Sequence, residues 1–530
     1  MMKAVLVNPG FPQTFFSYNK VLQMIRKKAI LPPLGLLTLA ALLPREWDLK
    51  LIDLTFQKIS PEDWEECDLV LVSGMAVQYK GILETIREGK RRGKTVVAGG
   101  PWVFHFPQEA LAAGADLVVK GEGEATISLL LESLSRHESG QVIIAPDFAD
   151  LEDSPPPRID LIDLHDYQDM AIQFSRGCPF NCEFCDIKLM LGPRFRTKKP
   201  GQILAELQIL YDLGWRGPVF FVDDNFIGHP GKAKALLREL LPWLESRGRP
   251  FQLYTQASVN LAAERELLEL MVQSGFTCVF LGIETLDAES LKRAGKVQNE
   301  AVDLDQVCRE INRAGLIIQA GCIIGFDREK PGADQRLLDF AHRNQLPEMF
   351  VTLLQVGPGS DMWKRLEKEG RLLPPNYEHL SNQTGLVNFV PTRPLQQIVD
   401  EFIHLYEALY EPGAYLGRVF HFLERMRAPS FPRPFSLPSL YELRAVLIVL
   451  FRQGWLYASR RQFWRYLFTV LRKFPARLPD FIMLLVKGEH YFDFRRTIVR
   501  ELRRQMARIE DGSAQHPNEG LHEDSPANLL

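Results

Sequence analysis

Cys178, Cys182 and Cys185 stand together in RGCPFNCEFCD (176–186), with three and then two residues between them, although the 530-residue chain holds only seven cysteines. Thiolates bind soft metals, and a centre with three protein ligands keeps a coordination position open. Structural zinc usually takes four ligands. No fourth cysteine is near, and His165 and His229 are poorly spaced for the role. Burial as plain small hydrophobes suits the loop badly, because Gly177, Pro179 and Asn181 offer little to pack against. A 4Fe-4S cluster is the third reading. Each cluster iron usually takes one thiolate, so three thiolates leave one iron free for another ligand. Cys278 and Cys322 fall inside apolar runs, Cys308 on a helical stretch and Cys67 before a run, so a single cluster is expected.

The elements around this loop are legible as alternating patterns. From about 170 the apolar runs are AIQFS, PVFFVDD, FQLYTQAS, TCVFLGIE, LIIQAGCIIGF and MFVTLLQ, separated by helical segments such as 200–213 and 263–273. Six βα units in succession predict a barrel or partial barrel over 170–390. Barrel chemistry sits at the C-terminal strand ends, where the cysteines follow the first run. Residues 1–145 show KAVLVN, LKLID, DLVLVSG, TVVAGG and DLVVKGEGE, which predicts a doubly wound parallel sheet, an α/β domain. Its strand ends carry Asn8, Ser73, Gly74, Gly99, Gly100 and Gly121, at the edge where such sheets bind ligands. The acidic, Pro-rich stretch 146–169 reads as a linker with reach enough to bring the halves together. Residues 391–510 turn to helical spacing, and the polar end 511–530 reads as a disordered tail.

Bulk properties narrow the function class. Length calls for several domains. A net charge of −3 is not that of a nucleic-acid-gripping molecule. Sparse cysteine argues for a reducing, cytoplasmic compartment and against a disulfide scaffold. MMKAVLVNPGF reads as a strand and not as a signal peptide.

Placed after the first strand of a six-unit barrel, C-x-x-x-C-x-x-C with the aromatic Phe184 before its last cysteine resembles the radical S-adenosylmethionine (SAM) superfamily, over about 170–360. In that superfamily the open iron is chelated by the amino and carboxylate groups of SAM. The resemblance implies further SAM contacts. The family places a group for the SAM amine at the end of the second strand; its usual Gly-Gly-Glu is absent here, and Asp223 and Asp224 of FFVDDNFIG are the acids available. Capping of the next helix is the other reading of this pair. Ser258 and Asn260 of TQASVNL, Glu284 of FLGIET, toward ribose or amine, and Gly321 and Gly325 of GCIIGF, against adenine, complete the set; glycine lets a ring approach the backbone.

LPPLGLLTLAALL, VSGMAVQ, VVAGGP and VVKGEGEAT, in that order, resemble the cobalamin-binding module found before many radical SAM domains. The likeness implies that Ser73, Gly74, Met75, Gly99 and Gly100 hold the nucleotide tail and the corrin edge. One departure matters. NPGFPQTFFSYNKVLQM, after the first strand, holds no histidine where some such modules carry Asp-x-His-x-x-Gly, so no protein imidazole is expected below cobalt.

CEFCDI, VFLGIET, PGSDMWKRLEKEGRL and GEHYF resemble the subgroup that contains the hopanoid 2-methylases. That resemblance implies a cobalamin-dependent radical SAM C-methyltransferase acting on an unactivated carbon of a hydrophobic substrate, a hopanoid-like lipid or a related molecule. Its implied cofactors are a 4Fe-4S cluster, SAM and cobalamin, and its electron donor a ferredoxin or flavodoxin. A cobalamin-assisted radical cyclase or rearrangement enzyme, and a non-catalytic cobalamin sensor or redox carrier, are the rivals. Methylthio transfer would need a second cluster, which Cys67 alone cannot hold. The C-terminal region mixes Arg460, Arg461, Arg465, Arg472 and Lys473 with Trp455, Phe463, Trp464, Phe468 and Phe474. Two readings stay open there: a helical cap packed on the barrel, or a peripheral contact with the membrane surface.

Overall fold

In the computed structural model, residues 1–300, 302–373, 383–427 and 440–511 are described. The expected tail lies, from 512 on, outside the described residues.

The first sheet holds β1 (Lys3–Asn8), β2 (Asp48–Asp53), β3 (Leu69–Ser73), β4 (Thr95–Gly99), β5 (Leu117–Lys120) and β6 (Gln141–Ile144). All pairs are parallel, in the order β2-β1-β3-β4-β5-β6. Successive residues alternate between faces. Val5, Val7, Val70, Val72, Val96 and Ala98 fill one core, while Ala4, Leu6, Leu69, Leu71 and Val97 join a second that runs on into the rest of the molecule. Burial on both faces is why these strands read as unbroken apolar runs. The sequence pattern yields five of the six strands. β6 is a four-residue edge strand whose Ile144 points into solvent, so it carries no apolar alternation.

The second sheet is also parallel and uses β7 (Met170–Ile172), β10 (Pro218–Phe221), β11 (Gln252–Ala257), β12 (Phe276–Glu284), β13 (Ile317–Ile324) and β14 (Glu348–Leu353). Each strand pairs with its neighbours in the chain and the ends stay unjoined, which gives a partial barrel. On β12, Val279, Leu281 and Ile283 are wholly buried against the helices. Cys278, Phe280, Gly282 and Glu284 face the other way and stay partly exposed. Phe220, Tyr254, Gln256, Phe350 and Thr352 behave like them, so the inner face of the barrel carries four aromatic rings. The first barrel strand is shorter than the run AIQFS predicts. It leaves the sheet after Ile172, and β8 (Ser175–Arg176) pairs antiparallel with β9 (Arg196–Thr197) instead.

The stretch 146–169 is packed and not free. Leu151, Ile159 and Tyr167 are buried, the Arg158 N–H donates to Leu37 O at 3.0 Å, and Tyr167 Oη donates to Asp53 Oδ2 at 3.1 Å. Helices Leu395–Leu409, Pro412–Arg425 and Leu478–Glu510 pack beside the barrel. The open seam is filled by the last helix and by the loop after β1. Phe15 stacks on Tyr491 with centroids 4.6 Å apart, Phe16 lies 4.8 Å from Phe350, and Lys487 pairs with Glu348 at 3.0 Å. That loop therefore spends its aromatics on closing the barrel.

Candidate functional site

The cysteine loop opens with Gly177, whose φ is +84° and where a Cβ would overlap the carbonyl oxygen of Arg194. Only glycine fits there. The Cys185 N–H donates to Cys182 O at 3.1 Å, closing a turn. Glu183, between the last two cysteines, is gripped from the segment after β14: Arg365 Nε meets its carboxylate at 2.5 Å, and the Met362 N–H donates to its carbonyl at 2.9 Å. All three cysteines are partly exposed as residues, while burial pushes each thiol above its ordinary range. Lys296 is the countercharge. Burial opposes its ionisation, but Glu284 and the Cys182 and Cys185 sulfurs outweigh that and hold it protonated. Gln298 Nε2 donates to Cys182 Sγ at 3.7 Å.

The residues present fit a cluster and its ligand. Thiolates need a nearby cation, and Lys296 supplies one. The Asn225 side chain faces the Cys178 sulfur, and Gln298 Oε1, close to Cys182, is buried with no hydrogen-bond partner. Among the described residues, no group of three or more His, Cys, Asp or Glu is arranged for a single ion. The histidines weighed for zinc are engaged elsewhere: His165 bonds Asp163, and His229 caps the helix Pro230–Ser246.

The acids and glycines expected at this mouth do not all serve it. Asp223 is fully buried and accepts the Phe174 N–H at 3.2 Å together with the Ser175 N–H and hydroxyl. It holds the turn out of β7, so it is withdrawn from the SAM set. Neither aspartate caps the next helix, which is His229's task. Asp224 remains half-buried at the mouth, pushed up to about 6 by burial and then by the charge of Asp186. Ser258 Oγ lies 3.2 Å from Asn225 Oδ1 and 2.5 Å from Asn260 Oδ1. Glu284 sits in the left-handed region at φ 65° with its carboxylate on Lys296, a strained backbone of the kind found where a side chain must be aimed. Phe184 lies 5.7 Å from Phe326 and 5.9 Å from the Lys296 ammonium. The glycine expectation is corrected. Gly321 is buried under Phe280, whose Cζ a Cβ would meet at 2.5 Å. Gly325 is also buried; it is needed for its φ of +104°, and its N–H donates to Glu329 Oε2 at 2.9 Å.

The front sheet presents its own mouth. At Gly100 φ is +88° and a Cβ would overlap Ser73 Oγ, so these two residues interlock. Gly99 is open: its nearest neighbour would be Val119 O at 3.7 Å. Met75 is more than half exposed. Its N–H donates to Gln78 Oε1 at 2.8 Å, and the Gln78 amide reaches Asn8 Oδ1 at 3.1 Å, tying the ends of β1 and β3. In Gly74 the missing Cβ leaves room for that glutamine.

The two mouths face each other. Arg176, next to the cysteine loop, donates to Glu122 at 3.0 Å and to Glu124 at 2.9 Å, the first capping and the second opening the helix Gly123–Ser135 after β5, and Arg196 meets Glu122 at 2.9 Å. These carboxylates are almost inaccessible. Burial resists the Glu124 charge, but the hydrogen bonds and charge of Arg176 win and hold it at about 2. His105, just beyond Gly100, lies with Nε2 2.9 Å from Asp186 Oδ2. Arg176, Glu122, Glu124, His105, Lys296 and Asn225 were not singled out from sequence. The available signal was charge set directly against a glycine, in RGC and in KGEGEAT.

Comparison with known proteins follows the same division. The Radical SAM superfamily matches residues 172–341, the B12 binding domain matches 24–131, and Domain of unknown function (DUF4070) matches 360–504. An uncharacterized methyltransferase of Synechocystis sp. is 44% identical, covering 95% of this chain and 94% of its own. The hopanoid C-2 methylase of Rhodopseudomonas palustris is 32% identical, covering 94% of each. Among solved structures, the radical SAM methyltransferase TsrM of Kitasatospora setae, with cobalamin and a [4Fe-4S] cluster, matches 94% of this chain and 100% of its own at a TM-score of 0.59 and 16% identity. The cobalamin-dependent SAM radical enzyme OxsB matches 97% and 81% at the same score and 14% identity.

Proposed function

This chain belongs to the cobalamin-dependent radical SAM enzymes, a family with methyltransferases among its members, and from that premise we propose that it transfers a methyl group to an unactivated carbon of a hydrophobic substrate. The family's cofactors are a 4Fe-4S cluster, SAM and cobalamin. When bound, they supply a hydrogen-abstracting radical and a carrier for the methyl group.

The chain's own residues bind, orient and exclude water. Cys178, Cys182 and Cys185 hold the cluster, with Lys296 neutralising thiolate charge. Asp224, Ser258, Asn260 and Glu284 take the polar groups of SAM, and Phe184 lines the approach. Ser73, Gly74, Met75, Gly99 and Gly100 form the opposite wall for cobalamin. The observation that carries this reading is the clamp of Arg176 on Glu122 and Glu124, which sets the two walls face to face. An inner barrel face carrying Phe220, Phe280 and Phe350 suits an apolar substrate. The 32%-identical hopanoid C-2 methylase favours a hopanoid-like lipid among such molecules. Electrons would come from a ferredoxin or flavodoxin.

Product mass tests the reaction. Extracts of a deletion strain, incubated with the reconstituted enzyme, SAM and reductant, are expected to yield a lipid or pigment heavier by one methylene. A product changed without that gain would mean cyclisation or rearrangement and would overturn methyl transfer.

The glycines of the front mouth give a second test. Gly100→Ala is expected to destabilise the fold by about 1–3 kcal/mol, because φ is +88° and Ser73 occupies the space. Gly99→Ala meets only ordinary contacts and should leave unfolding within about 0.5 kcal/mol of the parent, yet retain less cobalamin after desalting. Full cobalamin retention in Gly99→Ala would remove this residue from the corrin wall.

A further inference from the structure

The structure assigns a lipid-bilayer docking face to the helices Leu440–Phe451 and Arg460–Lys473 and the turn between them. In the first helix Leu443, Leu447 and Phe451 recur every four residues, and Trp455 continues the row. All four are exposed, Trp455 by 72%. Packing does not explain them, since the helix already buries Ala445 and Val449 on its other side. The second helix repeats the arrangement. Phe463, Tyr466, Leu467 and Val470 are buried, while Trp464, Phe468 and Leu471 form a second apolar row in solvent, with Phe468 63% exposed. The rows are joined. Trp464 Nε1 donates to Gly454 O at 2.8 Å, the residue before Trp455, and the Trp464 and Phe468 rings lie 5.9 Å apart.

Large contiguous apolar surface on a folded protein marks an interaction site. Charge selects the partner. Between 440 and 473 the chain carries seven Arg or Lys and one acid, Glu442. Arg460, Arg461, Arg465, Arg472 and Lys473 are all exposed. Two Trp residues on an apolar face with arginines beside it match an anionic lipid surface, which takes rings into the headgroup boundary and guanidinium groups onto phosphates. No helix among the described residues is long and apolar enough to cross a membrane, so the contact lies on the surface. Of the two readings left open by sequence, the structure divides the residues: Phe463 belongs to the cap, and Trp455, Trp464 and Phe468 to the docking face.

The test uses the full-length protein and vesicles. Sedimentation with phosphatidylglycerol-containing vesicles is expected to carry the protein down, with salt weakening the binding, and brominated lipid should quench its tryptophan fluorescence. Trp455→Asp with Phe468→Asp, and separately Arg461→Glu with Arg465→Glu, should each lower vesicle affinity by about tenfold or more while cobalamin binding and unfolding stay as in the parent. Protein left in the supernatant with every vesicle would overturn the proposal. So would self-association without lipid that Trp455→Asp abolishes, since the face would then join two copies. The assay reads the surface and not the chemistry, so docking and methyl transfer can each fail without the other.

Discussion

Cys182→Ala is expected to abolish the iron–sulfur absorbance and SAM cleavage together while cobalamin stays bound. The thiol sits in a loop whose backbone is fixed from outside: Gly177 against Arg194, Glu183 in the grip of Arg365, and the turn out of β7 held by Asp223. Losing one sulfur therefore removes a ligand without unfolding the loop. With two thiolates left, one more iron loses its protein ligand. The front mouth is built over a separate core that includes Val5, Val72 and Trp102, so cobalamin retention does not depend on the cluster. Three measurements read the outcome: visible absorbance after reconstitution, 5′-deoxyadenosine formed with reductant, and cobalamin retained after desalting. Cys308→Ala is the control, because that thiol is buried on a helix remote in sequence from the loop; it should keep both cluster and cleavage. Retained cleavage in Cys182→Ala would defeat the assignment of the three cysteines.

Much of this arrangement is legible from local pattern. Apart from the edge strand β6, the strands of both sheets announce themselves as apolar runs ending in glycine or a polar residue, and the cysteine spacing is complete within eleven residues. What escapes is decided by tertiary context. Asp223 and Asp224 are adjacent acids after one strand, and nothing local says which turns inward. The early exit of β7 creates two backbone donors, Phe174 and Ser175, and only Asp223 reaches them. Gly321 sits in a segment that invites a cofactor ring, but a phenylalanine from the adjacent strand occupies the place. Lys296 follows the helix Ala288–Arg293, twelve residues beyond the strained Glu284, and its partner cannot be inferred from spacing. The absent histidine of the first loop has a structural counterpart: Phe15, Phe16 and Tyr18 close the barrel seam, with Tyr18 Oη 3.0 Å from Tyr491 Oη.

Arg176→Ala is expected to destabilise the protein by about 3–5 kcal/mol, the usual cost of leaving a buried charge without its partner. Glu122 and Glu124 lie almost out of solvent; Arg196 still answers Glu122, whereas Glu124 would keep no cation, only its own backbone N–H and the Ser154 hydroxyl at 2.8 Å. The sign of the pH dependence follows from Glu124. Its folded value is about 2, against 4.5 for an ordinary glutamate. A carboxylate held low contributes stability that is fully present above its unfolded value and is lost as pH falls through the folded one. The parent should therefore lose this contribution between about pH 4.5 and 2, and Arg176→Ala, which no longer has it, should show a flatter acid limb. Glu124→Gln removes the charge but keeps a hydrogen-bonding group, so it should cost less than Arg176→Ala. The functional consequence is separate from stability. Arg176 adjoins the cysteine loop, and both its carboxylate partners come from the opposite wall, so its loss loosens the spacing of the two walls without deleting a ligand. At a temperature where the variant is folded, SAM cleavage should persist while product falls, raising the ratio of 5′-deoxyadenosine to methylated product. An unchanged ratio would mean that the clamp only stabilises; a raised ratio would make Arg176 a positioning residue, because stability alone lowers both products together.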